Sequence, residues 1–245
     1  MQNQLAIIII GFMVILCAGI IQGATSFGFS LLALPILGAF IPLKIIVPML
    51  VIYSLIMNSI ILYKIREHVK IKRMSMLIVS AVIATPIGTN ILINLNEAFL
   101  KIIVGVIVTI SALTFYFGYK FKIRNEKMAH IPVGFMSGLL NGSVSLSGPP
   151  VILFLANQDV EKQDFRATLT AYFWIINIMT VITFVYKNLI GVEVLKITGY
   201  LLPALIIGVL MGIKLGNKIN EETFKKLTTV LMIFMGILSI VSGIR

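Results

Sequence analysis

Charged side chains are scarce in this chain of 245 residues, of which 12% are charged and only nine residues are acidic. Long stretches carry no charge at all, such as Leu5 to Phe40, although a membrane-spanning helix needs only about 20 apolar residues. The hydrophobic fraction is 59% and the mean hydropathy is +1.06. This composition excludes an ordinary soluble protein and predicts an all-α integral membrane protein with several spans.

Reactive and metal-binding side chains are equally scarce. The single cysteine, Cys17, lies inside an apolar run, the chain has two histidines, and no H-E-x-x-H motif is present. All nine acidic residues fall between the apolar segments, so no intramembrane carboxylate is expected to relay protons. We therefore predict no metal site, no cofactor and no enzymatic activity.

Charged residues divide the chain into eight apolar segments joined by short connections, which leaves no room for a separate soluble domain. The segments lie at about 5–40, 42–63, 74–93, 99–119, 130–156, 166–186, 195–213 and 224–243.

The basic residues indicate how these segments cross the membrane. Four connections hold 15 of the 20 basic residues; they are 64–73, 120–127, 157–166 and 214–226. Because cytoplasmic loops are enriched in Lys and Arg, we place these four inside and both termini outside a cell membrane. The net charge of +11 is then a topology signal beside anionic lipid, and no nucleic-acid partner is expected.

This topology makes the segment 130–156 enter and leave the membrane on the same side. Its 27 residues are too few for two helices of about 20, so we expect a hairpin of two short helices. The segment 5–40 has an equivalent place and enters from the outside. The sequence leaves open whether the hairpins are re-entrant or built from full spans.

The chain also repeats itself at a spacing of 119 residues. GIIQGATS at 19–26 aligns with GLLNGSVS at 138–145. The same offset pairs Tyr53 with Tyr172 and Asn58 with Asn177.

Each half then contains a Gly/Ser-rich helical hairpin and three transmembrane helices. An odd number of crossings inverts the second half relative to the first. We predict two inverted-topology repeats, residues 1–127 and 128–245, in one transmembrane domain.

Each glycine-rich turn is followed by a predicted short helix, near Phe29 in the first half and near Pro149 in the second. The first N–H groups of a helix lack internal acceptors and carry the positive end of its dipole. Two such ends meeting near the membrane midplane would bind an anion. The predicted substrate-binding residues are Gln22, Gly23, Thr25, Ser26, Gly28, Ser30, Asn58, Asn141, Gly142, Ser143, Ser145, Ser147, Gly148, Pro149 and Asn177.

These residues also have a simpler structural interpretation. Glycine and serine clusters allow close packing of membrane helices, and Asn58 and Asn177 can hydrogen-bond to neighbouring helices. Arg166, after the second hairpin, either attracts anions or anchors a helix end. The presence of two equivalent copies of the motif favours a binding site.

The two motifs resemble those of the TauE/SafE family of membrane permeases, also called sulfite exporters. The likeness rests on GIIQGATSFGFSLLALPIL at 19–37, on GLLNGSVSLSGPPVILFL at 138–155, and on Arg166 with Ala167. The first motif has fewer glycines than is common in that family. The resemblance implies transport of small sulfur-containing or carboxylate anions, such as sulfite or sulfoacetate.

We therefore expect a secondary transporter that exports a small anion by alternating access. An inside-negative potential drives anion export by about 2.3 kcal/mol per charge per 100 mV, without any coupled ion. An ion channel and a cation-coupled uptake permease for the same anions are the alternatives. The sequence is also compatible with a homodimer.

Overall fold

The computed structural model describes residues 2–69, 74–117, 126–156 and 162–215, with a few positions between 233 and 244. All regular structure in these ranges is helical. The α-helices are α1 Gln2–Thr25, α2 Phe29–Leu37, α3 Leu43–Ile65, α4 Ser75–Asn94, α5 Glu97–Phe117, α6 Glu126–Val144, α7 Gly148–Ala156, α8 Lys162–Tyr186 and α9 Val192–Leu215, and a 3₁₀ turn, Arg66–His68, follows α3. The predicted segment 224–243 lies largely outside the described residues.

Five helices among the described residues are long and apolar enough to cross a membrane. They are α1, α3, α4, α8 and α9, with mean hydropathies of 1.7 to 2.4 over their apolar windows. The length and composition of these helices confirm the prediction of an all-α membrane protein with several spans.

The hairpins differ from the prediction in the length of their first helices. The second helices, α2 and α7, are short at nine residues each, but α1 has 24 residues and α6 has 19. The expectation of two short helices, made for the segment 130–156, is therefore wrong for its first helix, α6. Helical hydrogen bonds do not require apolar side chains, so α6 begins at Glu126, before the apolar segment itself.

Some acidic residues that the sequence assigned to loops lie in the first turns of helices. They are Glu97 in α5, Asp164 in α8 and Glu193 in α9. A helix N-terminus stabilises a carboxylate through the helix dipole. Asp164 is buried there, with its Oδ1 3.4 Å from Nδ1 of His68. Away from helix ends, the described part of the chain contains no carboxylate.

Helix boundaries recur at the same spacing of 119 residues. The long helices α1 and α6 end at Thr25 and Val144, and the short helices α2 and α7 begin at Phe29 and Gly148. Both short helices have nine residues, so they also end at equivalent positions.

The most extensive helix contacts join the first half of the chain to the second. Helix α1 packs along α9, and α4 packs along α6. The backbones approach so closely that a Cβ atom at Gly23 would collide with the carbonyl oxygen of Val209, and one at Gly142 with that of Thr85. Glycine is therefore required at both contacts, and the two halves interlock.

Helices α3 and α8 have the largest buried share among the five apolar helices and pack against each other. The hydroxyl of Tyr53 in α3 donates a hydrogen bond to the carbonyl oxygen of Thr198 in α9, at 2.7 Å. Tyr172 in α8 is equally buried. These interior helices carry the polar residues that complete the site.

Candidate functional site

The turns of the two hairpins share one unusual backbone feature, a left-handed serine at their first position. Ser26 and Ser145 have φ angles of 69° and 57°, in the left-handed region that serine rarely adopts. Each donates its N–H to the carbonyl four residues earlier, at 2.7 Å from Ser26 and 3.0 Å from Ser145. A left-handed residue with this hydrogen bond ends a helix, so it stops α1 and α6 at the turn.

A small cavity lies between these turns, with a volume of about 40 Å³. That volume accommodates roughly three water molecules. Two of its lining residues, Ser30 in α2 and Ser145 in the second turn, have hydroxyl oxygens 3.2 Å apart. The structure thus brings the two Gly/Ser-rich motifs together.

Nine of the fifteen predicted site residues line this cavity. They are Gln22, Gly28, Ser30, Asn58, Asn141, Ser145, Ser147, Gly148 and Asn177. They come from both hairpins and from α3 and α8. Binding of a substrate by these residues stays a prediction.

Gln22 and Asn58 form a buried amide pair in the first half. The N–H of Phe29 donates to Oε1 of Gln22 at 3.2 Å, which turns Nε2 of Gln22 toward Asn58. That Nε2 donates to Oδ1 of Asn58 at 3.1 Å. The NH₂ group of Asn58 is left as a buried donor without an acceptor among the described residues. An unpaired buried donor of this kind costs about 1–3 kcal/mol.

Asn141 and Asn177 form the corresponding pair in the second half. The hydroxyl of Thr180 donates to the carbonyl of Ile176 at 2.8 Å, so its oxygen accepts from Nδ2 of Asn141, also at 2.8 Å. Nδ2 of Asn141 donates in addition to Oδ1 of Asn177 at 3.1 Å. In both halves the hairpin amide therefore donates to the oxygen of the asparagine on the neighbouring helix.

Comparison with known protein families agrees with this arrangement. The model of the family described as "Sulfite exporter TauE/SafE" matches residues 11–239, which include both hairpins and the whole cavity. The chain belongs to the TauE/SafE family. It is thus a member of a family of membrane transporters, and the resemblance identified from the motifs is confirmed. Comparisons with curated proteins and with solved structures give no match.

Five predicted site residues of this TauE/SafE protein have local structural roles outside the cavity lining. Gly23 and Gly142 make the helix contacts described above. The hydroxyls of Thr25 and Ser143 donate to carbonyl oxygens four residues earlier, at 2.8 Å in each case. Pro149 is buried in the first turn of α7, where a missing N–H costs little.

Six residues that the sequence did not single out also line the cavity. They are Phe27, Phe29, Leu31, Ser54, Leu146 and Phe173. A signal existed for two of them, because Ser54 precedes Asn58 by one helical turn and Phe173 precedes Asn177 by the same interval. Residues four apart lie on one face of a helix, and these two positions are themselves 119 residues apart.

Among the described residues, the cavity lining of this TauE/SafE protein offers hydrogen-bond donors and contains no charged side chain. The donors include the NH₂ group of Asn58 and the hydroxyl of either Ser30 or Ser145, since one of these two hydroxyls donates to the other. At the start of α7, the N–H of Gly148 also has no acceptor among the described residues. Such an arrangement suits a small solute rich in acceptor oxygens. The described residues contain no group of three or more His, Cys, Asp or Glu side chains that could hold a metal ion.

The sixth predicted residue outside the lining, Ser26, is in contact with Arg166 near the start of α8. Nε of Arg166 donates to Oγ of Ser26 at 3.3 Å, and Nη2 donates to the carbonyl oxygen of Gly23 at 3.2 Å. The arginine is only 8% exposed. Its guanidinium therefore lies against the first hairpin turn, deeper in the protein than its place at the start of an apolar segment indicates.

Proposed function

We propose that this protein exports a small anion across the cell membrane by alternating access. The substrate would be sulfite, an organosulfonate or a small carboxylate. The main observation in support is the cavity between the two hairpin turns, which Asn58 helps to line and beside which the buried NH₂ group of Asn58 has no acceptor among the described residues.

The chemistry of the lining favours an anion as the substrate. The lining side chains include four amides, and the remaining polar ones are serines that donate through their hydroxyls. Hydrogen bonds from neutral donors to an ionised acceptor are stronger than those between neutral groups. A sulfite or carboxylate oxygen would satisfy the NH₂ group of Asn58 and remove the cost of its burial.

We further propose that residues 1–127 and 128–245 are inverted-topology repeats, with both termini outside the cell. Support comes from the matching helix boundaries, the matching turns and the matching amide pairs at a spacing of 119 residues. In such transporters the substrate binds at the interface of the repeats, near discontinuous helices. The short helices α2 and α7 are the discontinuous helices in this proposal.

A carrier fits the cavity better than a channel does. The space is small, and the lining residues Ser30 and Ser145 join the two hairpins through their hydroxyls. A conducting pore needs a continuous path, whereas a carrier needs a site that is closed from both sides during part of its cycle. Separation of the two turns would then open the site toward one side of the membrane.

Flux measurements on purified protein in liposomes test this function. Sulfite and sulfoacetate efflux would be followed under an imposed membrane potential, with and without sodium or pH gradients. We expect saturable flux that follows the potential alone and shows counterflow. Flux only in the presence of a cation gradient would favour the coupled uptake permease, and unsaturable current would favour the channel.

A further inference from the structure

Arg166 holds a buried positive charge whose hydrogen-bond partners are neutral. These partners are the hydroxyl of Ser26 and the carbonyl oxygen of Gly23. No carboxylate forms an ion pair with Arg166 within the described ranges of the chain. The acidic residue closest in sequence, Asp164, is in contact with His68.

A buried charge without a counter-ion is unfavourable, because it has lost its hydration without gaining an opposite charge. The end of α1 offsets part of this cost, since the last carbonyls of a helix carry partial negative charge. A guanidinium has five N–H donors, and these two hydrogen bonds use only two of them. A bound anion would supply the negative charge that none of the described residues provides to Arg166.

The guanidinium contacts two residues that adjoin lining residues of the cavity in the chain. Its partners Gly23 and Ser26 are flanked in the chain by Gln22 and Phe27, and both of these line the cavity. The position 119 residues before Arg166 is occupied by Val47, so the first half has no equivalent cation. The two hairpins are similar, but among the described residues only the second half supplies a buried guanidinium, whose electrostatic field therefore acts on the site from one half.

We propose that Arg166 determines the charge selectivity of the cavity and makes it prefer anions with two charges to anions with one. This inference rests on the proposed function, because it concerns the same cavity. In an environment of low polarity the attraction between Arg166 and a substrate grows with each negative charge that the substrate carries. Arg166 would affect substrate binding through the electrostatic field of its guanidinium and by positioning the hairpin turn that it contacts.

A purely structural role for Arg166, as a cap of α1, predicts a different result. A cap stabilises the helix to the same extent whatever anion is present. The decisive quantity is therefore the ratio of affinities for a dianion and a monoanion of similar chemistry. Sulfoacetate and methanesulfonate are suitable probes, with KM or inhibition of flux as the measure.

The Arg166→Gln variant should raise the KM for sulfoacetate about tenfold more than that for methanesulfonate. Arg166→Lys should keep most of the preference, because it keeps the charge. Lys44→Gln is the matched control, since Lys44 also donates to a carbonyl at a helix C-terminus, that of Ile93 at 2.8 Å, but is exposed. This control should leave the ratio unchanged.

A second pair of variants works if Arg166→Gln does not fold. Ser26→Asp would place a carboxylate beside the guanidinium and keep Arg166 at the end of α1, whereas Ser26→Asn adds a similar side chain without charge. Both residues tolerate the left-handed conformation of Ser26. We expect the preference for sulfoacetate to fall about tenfold in Ser26→Asp and to persist in Ser26→Asn.

Stabilisation of the detergent-solubilised protein against heat provides a readout that does not depend on transport. Wild-type flux together with an unchanged anion ratio in Arg166→Gln and Ser26→Asp would overturn the role of Arg166 and leave the proposed function intact. Stabilisation by sulfoacetate that depends on Arg166, without any flux, would support the role of Arg166 and contradict transport. A wild-type protein that neither anion stabilises and that transports neither would contradict both proposals.

Discussion

The hydroxyl oxygens of Ser30 and Ser145 lie 3.2 Å apart, although 115 residues separate them in the chain. Ser30 belongs to the first turn of α2, and Ser145 is the left-handed residue that ends α6. The contact thus joins the two hairpins within the lining of the cavity. In a carrier whose site opens by separation of the two turns, this contact breaks during each transport cycle.

Cross-linking of the two serines should stop transport. We expect Ser30→Cys with Ser145→Cys, in a Cys17→Ala background, to form a disulfide under oxidising conditions and to lose most of its flux. A reducing agent should restore the flux, and each single cysteine variant should be insensitive to the oxidant. Full flux from completely cross-linked protein would show that the hairpins need not separate.

Introduction of a carboxyl group at Asn58 should weaken anion binding and transport. Asn58→Asp keeps the oxygen that accepts from Gln22 but replaces the free NH₂ group with a second oxygen. Loss of one buried donor and the added repulsion should raise the KM for sulfite at least tenfold. Asn94→Asp is the matched control, because Asn94 is exposed at the end of α4. Equal transport of sulfite by both variants would contradict a role of the Asn58 NH₂ group in anion binding.

The glycine contact between α6 and α4 should be sensitive to a single methyl group. Gly142→Ala places a Cβ atom against the carbonyl oxygen of Thr85, so we expect a loss of about 2–3 kcal/mol of stability from overpacking. Gly199→Ala is the control, because a Cβ atom there meets nothing within 4 Å. That substitution should stabilise α9 by roughly 0.5–1 kcal/mol. Equal melting temperatures of the two variants would contradict the close packing.

The two equivalent tyrosines should respond differently to loss of their hydroxyls. Tyr53→Phe removes the hydrogen bond to Thr198 and should cost about 1 kcal/mol of stability. The hydroxyl of Tyr172 lies beside Ser137 without a hydrogen bond of good geometry, so Tyr172→Phe should change stability by less than about 0.5 kcal/mol. Thermal unfolding of both variants measures the difference. A larger loss for Tyr172→Phe would indicate a partner for its hydroxyl.

The sequence predicted the helices and the doubled motif because both depend on local patterns. Apolar runs long enough for a membrane span gave α3, α4, α8 and α9 to within a few residues. The glycine-rich copies gave the position of each turn, because a turn at membrane depth needs small residues. Helices α1, α6 and α8 begin three or four residues before the predicted segments, since their first residues are too polar to belong to an apolar run.

The contacts inside the site depended on tertiary structure and could not be read from spacing alone. Gly23 and Gly142 illustrate the ambiguity, because a glycine in such a motif serves a turn, a ligand or a neighbouring helix equally well. They contact α9 and α4 instead of the cavity. Arg166 illustrates another limit, because a long side chain reaches a turn that is 140 residues away in the sequence.

Gln22 and Asn141 occupy equivalent places in the two hairpins and differ by one methylene group. The longer side chain of Gln22 reaches both Asn58 and the first amide of α2. Asn141 donates to Asn177 and Thr180, and the first amide of α7 stays available. Within the described part of the chain, the difference of one methylene group thus coincides with a free N–H at the start of α7 and an occupied one at the start of α2. Two halves that are otherwise alike can therefore contribute unequally to the binding of a solute.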